Sequence, residues 1–388
     1  MARLVLSIML IIALSSVDAK EYKNTKEAMD DIFSAFVDLL PYASNEMRFK
    51  DPKAEGFIKD RLLKLKTAFK KAKHLKEINS PGFKPSFDAV SRHLDQTYDG
   101  FEMSQKSFAR NRLKATAEMC ISCHTQLPKG VSHTFNSLSK VKRQNFNNDY
   151  EYADYLFLVR NYTQASHYYR EEIKNRISKN QKLKKIHDDN KASYIDFTIE
   201  KSLERLLTIH TKVFYKPKKA LATVQELMKQ DGLAQNFKKE MKDWEEDLKV
   251  WEKRKVTELR HEKDVRAFIS QYLEEDINQV TSHVDLLIAS GFLYRYLNKY
   301  PKTSAQAQIL YTLGAIDDVL NHSYFYSLAE IYLKRCVVKF PKSPYAKKCY
   351  KRYKDRVEFG YTGTAGTSIP ESEAKEIARL KKILSNAK

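Results

Sequence analysis

The chain predicts an all-α fold in two parts: a four-helix bundle followed by an array of stacked helical pairs. Three observations carry that expectation. The 388 residues include only 10 Gly and 10 Pro, a composition that favours long helices over many short strands and turns. Between residues 22 and 128, four apolar stripes at helical spacing are separated by short connections. Later, Lys299-Tyr300-Pro301-Lys302-Thr303 recurs forty residues on as Lys339-Phe340-Pro341-Lys342-Ser343, with Leu293 and Leu333 matching at the same offset.

The N-terminus reads as an export signal over residues 1–19. Arg3 is followed by an apolar run from Leu4 to Leu14 and a small-residue end at Ala19. A bilayer-spanning helix needs about 20 apolar residues, so this run is too short to remain as a transmembrane segment. The mature chain is expected to be periplasmic and without a membrane span.

The first domain is expected over residues 20–135. Its first stripe is Met29, Ile32, Phe33, Phe36, Val37 and Leu40, with Pro41 marking the expected helix end. A second follows Asp51-Pro52 and carries Phe57, Ile58, Leu62, Leu65, Phe69 and Ala72. The third, after the loop from Asn79 to Pro85, carries Phe87, Val90, Leu94, Tyr98 and Phe101. The fourth carries Phe108, Leu113 and Met119 and stops at Pro128-Lys129-Gly130. Four amphipathic helices with short connections make an antiparallel bundle.

The fourth helix also holds Cys120-Ile121-Ser122-Cys123-His124, the single Cys-x-x-Cys-His of the chain. At this spacing two thiols can add across the vinyl groups of one haem c. On a helix, Cys120 and His124 share a face, so the imidazole can reach iron as its proximal ligand. A four-ligand zinc site would need a second pair of ligands at short spacing, and none follows. A thioredoxin-like pair would need alternating strands and helices, also absent.

The helix count, helix order and late motif resemble cytochrome c-prime and its low-spin relatives, over roughly residues 22 to 128. In the low-spin relatives a methionine on the first helix is the sixth iron ligand. The resemblance therefore implies Met29, with His124, as a metal ligand; an ordinary core methionine filling a gap is the competing reading. Met47, Met103, His74, His93 and His133 are the lesser candidates. The family also tends to place an arginine four residues after the haem histidine, near the propionates. Here that position is Pro128, which leaves Lys129, Arg110 and Arg112 as candidate cations.

Residues 136–149 form a polar linker, and residues 150–388 a second helical domain. The phrase Ala153-Asp154-Tyr155-Leu156-Phe157, followed by Asn161-Tyr162-Thr163-Gln164-Ala165, resembles a tetratricopeptide repeat, in which Ala165 allows close helix packing. A second pair is expected from Tyr194 to Thr211 and Lys218 to Lys229. From Leu233 to Asp276 a long Lys- and Glu-rich helix is expected. Trp244 and Trp251 lie two turns apart on it, either packed inward or offered to a partner. Cys336 and Cys349 flank the second Lys-Phe-Pro-Lys-Ser turn, so a disulfide across a helical hairpin competes with two buried thiols.

A formal charge of +20 selects acidic protein partners or anionic envelope surfaces, and export argues against nucleic acid. The chain has no second Cys-x-x-Cys-His, no Gly-x-Ser-x-Gly, no His-Glu-x-x-His and no phosphate loop, so no enzyme is expected. The expected function is one-electron transfer by a monohaem c-type cytochrome whose helical repeats dock a protein partner. Haem-based binding of a diatomic gas, or an envelope scaffold with structural haem, are the alternatives.

Overall fold

The computed structural model describes residues 21–126, 141–186, 197–254, 258–273, 282–320 and 327–387, apart from Gly82 and Ala365. The export signal, Pro128, Lys129, His133 and residues 136–140 of the linker lie outside these residues. Among the described residues the chain is helical throughout, save for one two-rung hairpin, Thr362–Gly363 paired with Gly366–Thr367.

The bundle is built from α1 (Thr25–Ser44), α3 (Glu55–Ala72), α4 (Lys84–Glu102) and α5 (Lys106–His124), with a five-residue α2 (Glu46–Lys50) after α1. Asn24 caps α1 by accepting the Glu27 amide, and Asn45 does the same for α2 at the Arg48 amide. Helix α1 does not end at Pro41. It runs on to Ser44 because Tyr42 packs on Phe57, ring centroids 5.5 Å apart, and Ala43 is buried. Those contacts outweigh the one backbone hydrogen bond that a proline removes near a helix end. The four stripes meet inside the bundle, where the Phe69 and Phe87 rings lie 5.0 Å apart and Ile32, Phe36, Leu62, Leu65, Val90, Leu94 and Leu113 are buried. Each such side chain contributes about 1.5–3 kcal/mol.

In the second part α6 (Asp149–Leu158) pairs with α7 (Tyr162–Ile186), but the expected pairing of α8 (Phe197–Thr208) with α9 (Pro217–Met228) is not made: α8 packs on α7, and α9 on the helix that follows it. Then come α10 (Gln235–Lys253) and α11 (Glu262–Tyr272), α12 (His283–Lys299) with α13 (Gln306–Leu320), α14 (Ala329–Lys339) with α15 (Pro344–Gly360), and α16 (Glu371–Asn386). Both copies of the recurring motif sit at the turn between a pair. Ser343 caps α15 through the Tyr345 amide, and Thr303 accepts the Ala305 amide ahead of α13. Cys336 on α14 and Cys349 on α15 form a disulfide, Cα atoms 6.3 Å apart. The expected single helix from 233 to 276 is two, separated at Arg254, and both indoles point inward. Trp251 donates to Asp285, and Trp244 is 2 % exposed. Between α8 and α9 the chain makes a π-turn, Ile209–Val213, packed on α12 at Gly291. A side-chain carbon there would stand 2.6 Å from the Lys212 carbonyl oxygen, so only glycine admits the approach.

The first helices of the pairs lie against the bundle: α6 packs on α5, and α14 on α4. Arg205 of α8, 1 % exposed, pairs with Glu118 of α5 and lies 3.5 Å from Asp154 of α6. Tyr169 of α7 donates to the same Asp154. Burial works against the guanidinium charge, but Glu118 and then Asp154 outweigh it and hold Arg205 above its ordinary pKa. On α12, Asn298 donates to the Gln126 carbonyl at 3.0 Å. On α14, the Tyr332 hydroxyl meets Ser86 of α4 at 3.2 Å and accepts from Tyr294 at 2.9 Å.

Removing the cation from this seam leaves Asp154 and its tyrosines around an uncompensated carboxylate. Arg205→Met is therefore expected to lower the free energy of unfolding by about 3 kcal/mol, read from the urea midpoint. A shift under about 0.5 kcal/mol, the scale of an ordinary surface substitution, would mean that the network contributes nothing net.

Candidate functional site

One apolar cavity brings together the four predicted site residues, from two of the bundle helices. Cys120, Cys123 and His124 from α5 line it with Met29 from α1, and Phe33, Phe36, Phe69 and Phe87 close its sides. Counted to the surrounding atoms and including its mouth, the non-atom space is about 590 Å³. The centre of a water-sized sphere can explore only about 40 Å³ of it. The rings therefore stand close together, and a flat ligand would enter by parting them.

The placement follows from helix geometry. Cys120 and His124 are one turn apart on the last turn of α5, and Met29 lies one turn inside α1, three residues before Ile32 on the same inward stripe. Burial pushes the Cys120 thiol up to about 12 and the Cys123 thiol higher still; Ser86 bonds the latter. Neither cysteine is in a disulfide. Thr116, the other polar side chain at the cavity, is satisfied by donating to the Arg112 carbonyl at 3.0 Å.

The imidazole of His124 is oriented from outside the bundle. Its Nδ1 lies 2.5 Å from the carbonyl oxygen of Leu158, the last residue of α6. A carbonyl can only accept, so Nδ1 carries the hydrogen and the neutral ring keeps its lone pair on Nε2. The Leu158 carbonyl has no helical partner of its own, as at any helix end. The chain turns away there with Arg160 at φ +61° and the Asn161 amide bonded back to Leu156. Tyr162 adds a hydrogen bond to the His124 carbonyl at 3.3 Å. Burial, then the nearby Arg160 charge, lower the imidazole to about 4, against the bond to Leu158.

The lesser ligand candidates among the described residues lie elsewhere. Met47 and Met103 are 85 % and 71 % exposed. His74 bonds the Lys71 and Tyr22 carbonyls, and His93 bonds Arg112. Arg110 is bonded to the Ala43 carbonyl and Glu46, and Arg112 to His93 and Gln96, so neither candidate propionate cation lines the cavity. The positive charge that acts on the site is Arg160, which the sequence did not single out. A wider groove of about 900 Å³, bounded by Tyr42, Arg48, Phe57 and Glu151, holds no thiol or imidazole. Among the described residues, no three His, Cys, Asp or Glu side chains group as ligands of a single metal ion, and no helix is long and apolar enough to cross a membrane.

Compared with protein families, curated proteins and solved structures, the chain finds no match.

With both thiols held protonated by burial, the folded, haem-free chain is expected to resist alkylation. Iodoacetamide at pH 8 should label Cys120 and Cys123 at least about tenfold more slowly than in denaturant, where the thiol pKa returns to about 8.5. Equal rates by mass spectrometry would show that the cavity is open to solvent.

Proposed function

We propose that the chain is an exported monohaem c-type cytochrome that transfers single electrons, with its haem seated among the bundle helices and Leu158 of α6 at the edge of its site. The carrying observation is that the two thiols, the imidazole and the Met29 thioether all line one apolar, ring-walled cavity. A porphyrin face suits such walls. Chance clustering would not also supply an imidazole whose Nδ1 is tied to a backbone carbonyl, the partner that fixes a ligating tautomer.

In this reading the thiols of Cys120 and Cys123 anchor the haem by thioether bonds, and His124 offers Nε2 to the iron. Met29 offers the sixth ligand, and the phenylalanines exclude water. Bound haem supplies one-electron chemistry at its iron. A filled sixth position favours electron transfer over the alternative of diatomic-gas binding. Arg160 is the cation whose charge acts on His124. The Cys336–Cys349 disulfide supports an oxidising compartment and hence the periplasm. The array's inner helices are taken up by the bundle, so an acidic protein partner would meet its outer surface. No catalytic role is assigned.

The test is the denatured mass and the ferrous absorption spectrum of protein matured in a haem c-competent host, with and without carbon monoxide. One covalent haem is expected, with a spectrum that carbon monoxide does not move until Met29→Ala opens the site. A shift in the unaltered protein would replace electron transfer with gas binding. A mass without haem would overturn the proposal and leave a scaffold.

A further inference from the structure

The charge of the chain is concentrated in one braced hairpin. From Ile331 to Lys354 there are nine Lys and Arg and no Asp or Glu. This segment is the end of α14, the turn at Phe340–Ser343 and the first part of α15, tied together by Cys336 and Cys349. The acidic partners lie at its base. Arg352 pairs with Asp318, Lys334 with Glu330 and Lys354 with Glu358. Toward the tip, Lys339, Lys342, Lys347, Lys348 and Lys351 are exposed and make no ion pair among the described residues. Val338 is 43 % exposed beside them, with Pro344 also exposed and Phe340 and Tyr345 half-buried. Positive charges crowd here: burial, then Arg335 and Lys84, lower the Lys339 pKa.

We propose that the α14–α15 hairpin docks the protein on an anionic phospholipid bilayer surface. Three features select a lipid surface over an acidic protein. At the turn Val338, Lys339, Lys342 and Pro344 are exposed together. Its free charges are lysines, compact point charges on flexible stems that respond to smeared negative charge, without the planar fork by which arginine reads individual carboxylates. Lysine is also depleted at the cores of protein interfaces, whereas clusters of four to eight basic residues with neighbouring apolar groups mark attraction to acidic headgroups. The disulfide holds the end of α14 and the start of α15, the two segments that with their turn carry the five lysines, side by side. The surface does not rest on the haem reading, because none of its residues lines the cavity.

The full chain would be sedimented with vesicles of phosphatidylcholine alone and with vesicles of equal parts phosphatidylcholine and phosphatidylglycerol. Binding is expected only to the second, and is expected to be lost as salt rises. Each lysine should supply about fivefold in partitioning, so the triple replacement Lys342→Gln, Lys347→Gln and Lys348→Gln should lower it about a hundredfold. The same charge removed at exposed Lys229, Lys239 and Lys242 should change it by less than about fivefold. Equal losses from the two triples would trace binding to net charge and overturn the hairpin as the site. Failure to distinguish the two vesicles would overturn the lipid surface and leave an acidic protein as the partner. Because all six lysines are exposed, circular dichroism should show both variants folded.

Discussion

Arg205 is the constraint around which the two parts of the molecule are arranged. A guanidinium 1 % exposed must find carboxylates or it cannot stay charged without a large penalty. It finds them on two different elements, Glu118 on the last bundle helix and Asp154 on the first helix of the array. Apolar surfaces could slide past one another, but charges with directional partners set one register. Glu118 stands two residues before Cys120, about 3 Å of helix rise, so a network that places Glu118 also places the end of α5. The same contact places α6, whose free terminal carbonyl then lies where the His124 imidazole can donate to it.

This seam gives the helical array a role different from that of a free-standing repeat domain. Its inner helices cover the bundle from four sides of the sequence, through α6, α8, α12 and α14. Polar contacts link the two where they meet, Ser86 with Tyr332 and Asn298 with Gln126, and Tyr294 braces Tyr332 from within the array. Buried groups of this kind are costly when unmatched, so a chain of matched ones disfavours every other docking. The proposed haem site is thus completed across the two parts. The motif and Met29 come from the bundle, while the hydrogen-bond partner that orients the histidine comes from the array.

The α14–α15 hairpin follows different physics. Although α14 packs on α4, the lysines around the turn are exposed, and only the base of the hairpin is neutralised, by Glu330, Asp318 and Glu358. Inner and outer faces divide the labour: matched charges bury the seam, and unmatched charges stay with water. The unpaired lysines of the hairpin belong to the outer surface, while the buried Arg205 has its carboxylates.

Much of the fold was legible in the residues themselves, because amphipathic spacing is a local property. The four stripes became α1, α3, α4 and α5, the Cys-x-x-Cys-His motif fell on the last turn of α5, and both copies of the Lys-aromatic-Pro-Lys turn joined helices. Met29 is singled out by the resemblance to low-spin cytochromes, since its stripe position suits a core residue equally, and it lines the cavity with the motif. Other features leave no such trace. Pro41 marks a helix end by its chemistry, yet packing of Tyr42 and Ala43 carries the helix past it. The break at Arg254, in a segment helical by propensity throughout, depends on where Trp251 is buried. Leu158 acts through its backbone carbonyl, which every residue possesses, so no side-chain pattern could mark it. Arg160 and Arg205 look like any other surface cations until the fold buries or aims them. The sequence by itself determined the helices, their inward faces and the chemistry of the motif, since these rest on spacing along one chain. Only the tertiary structure decided which carbonyl meets the histidine, which cations are buried and which face the array keeps, because each depends on groups far apart in sequence arriving at hydrogen-bonding distance.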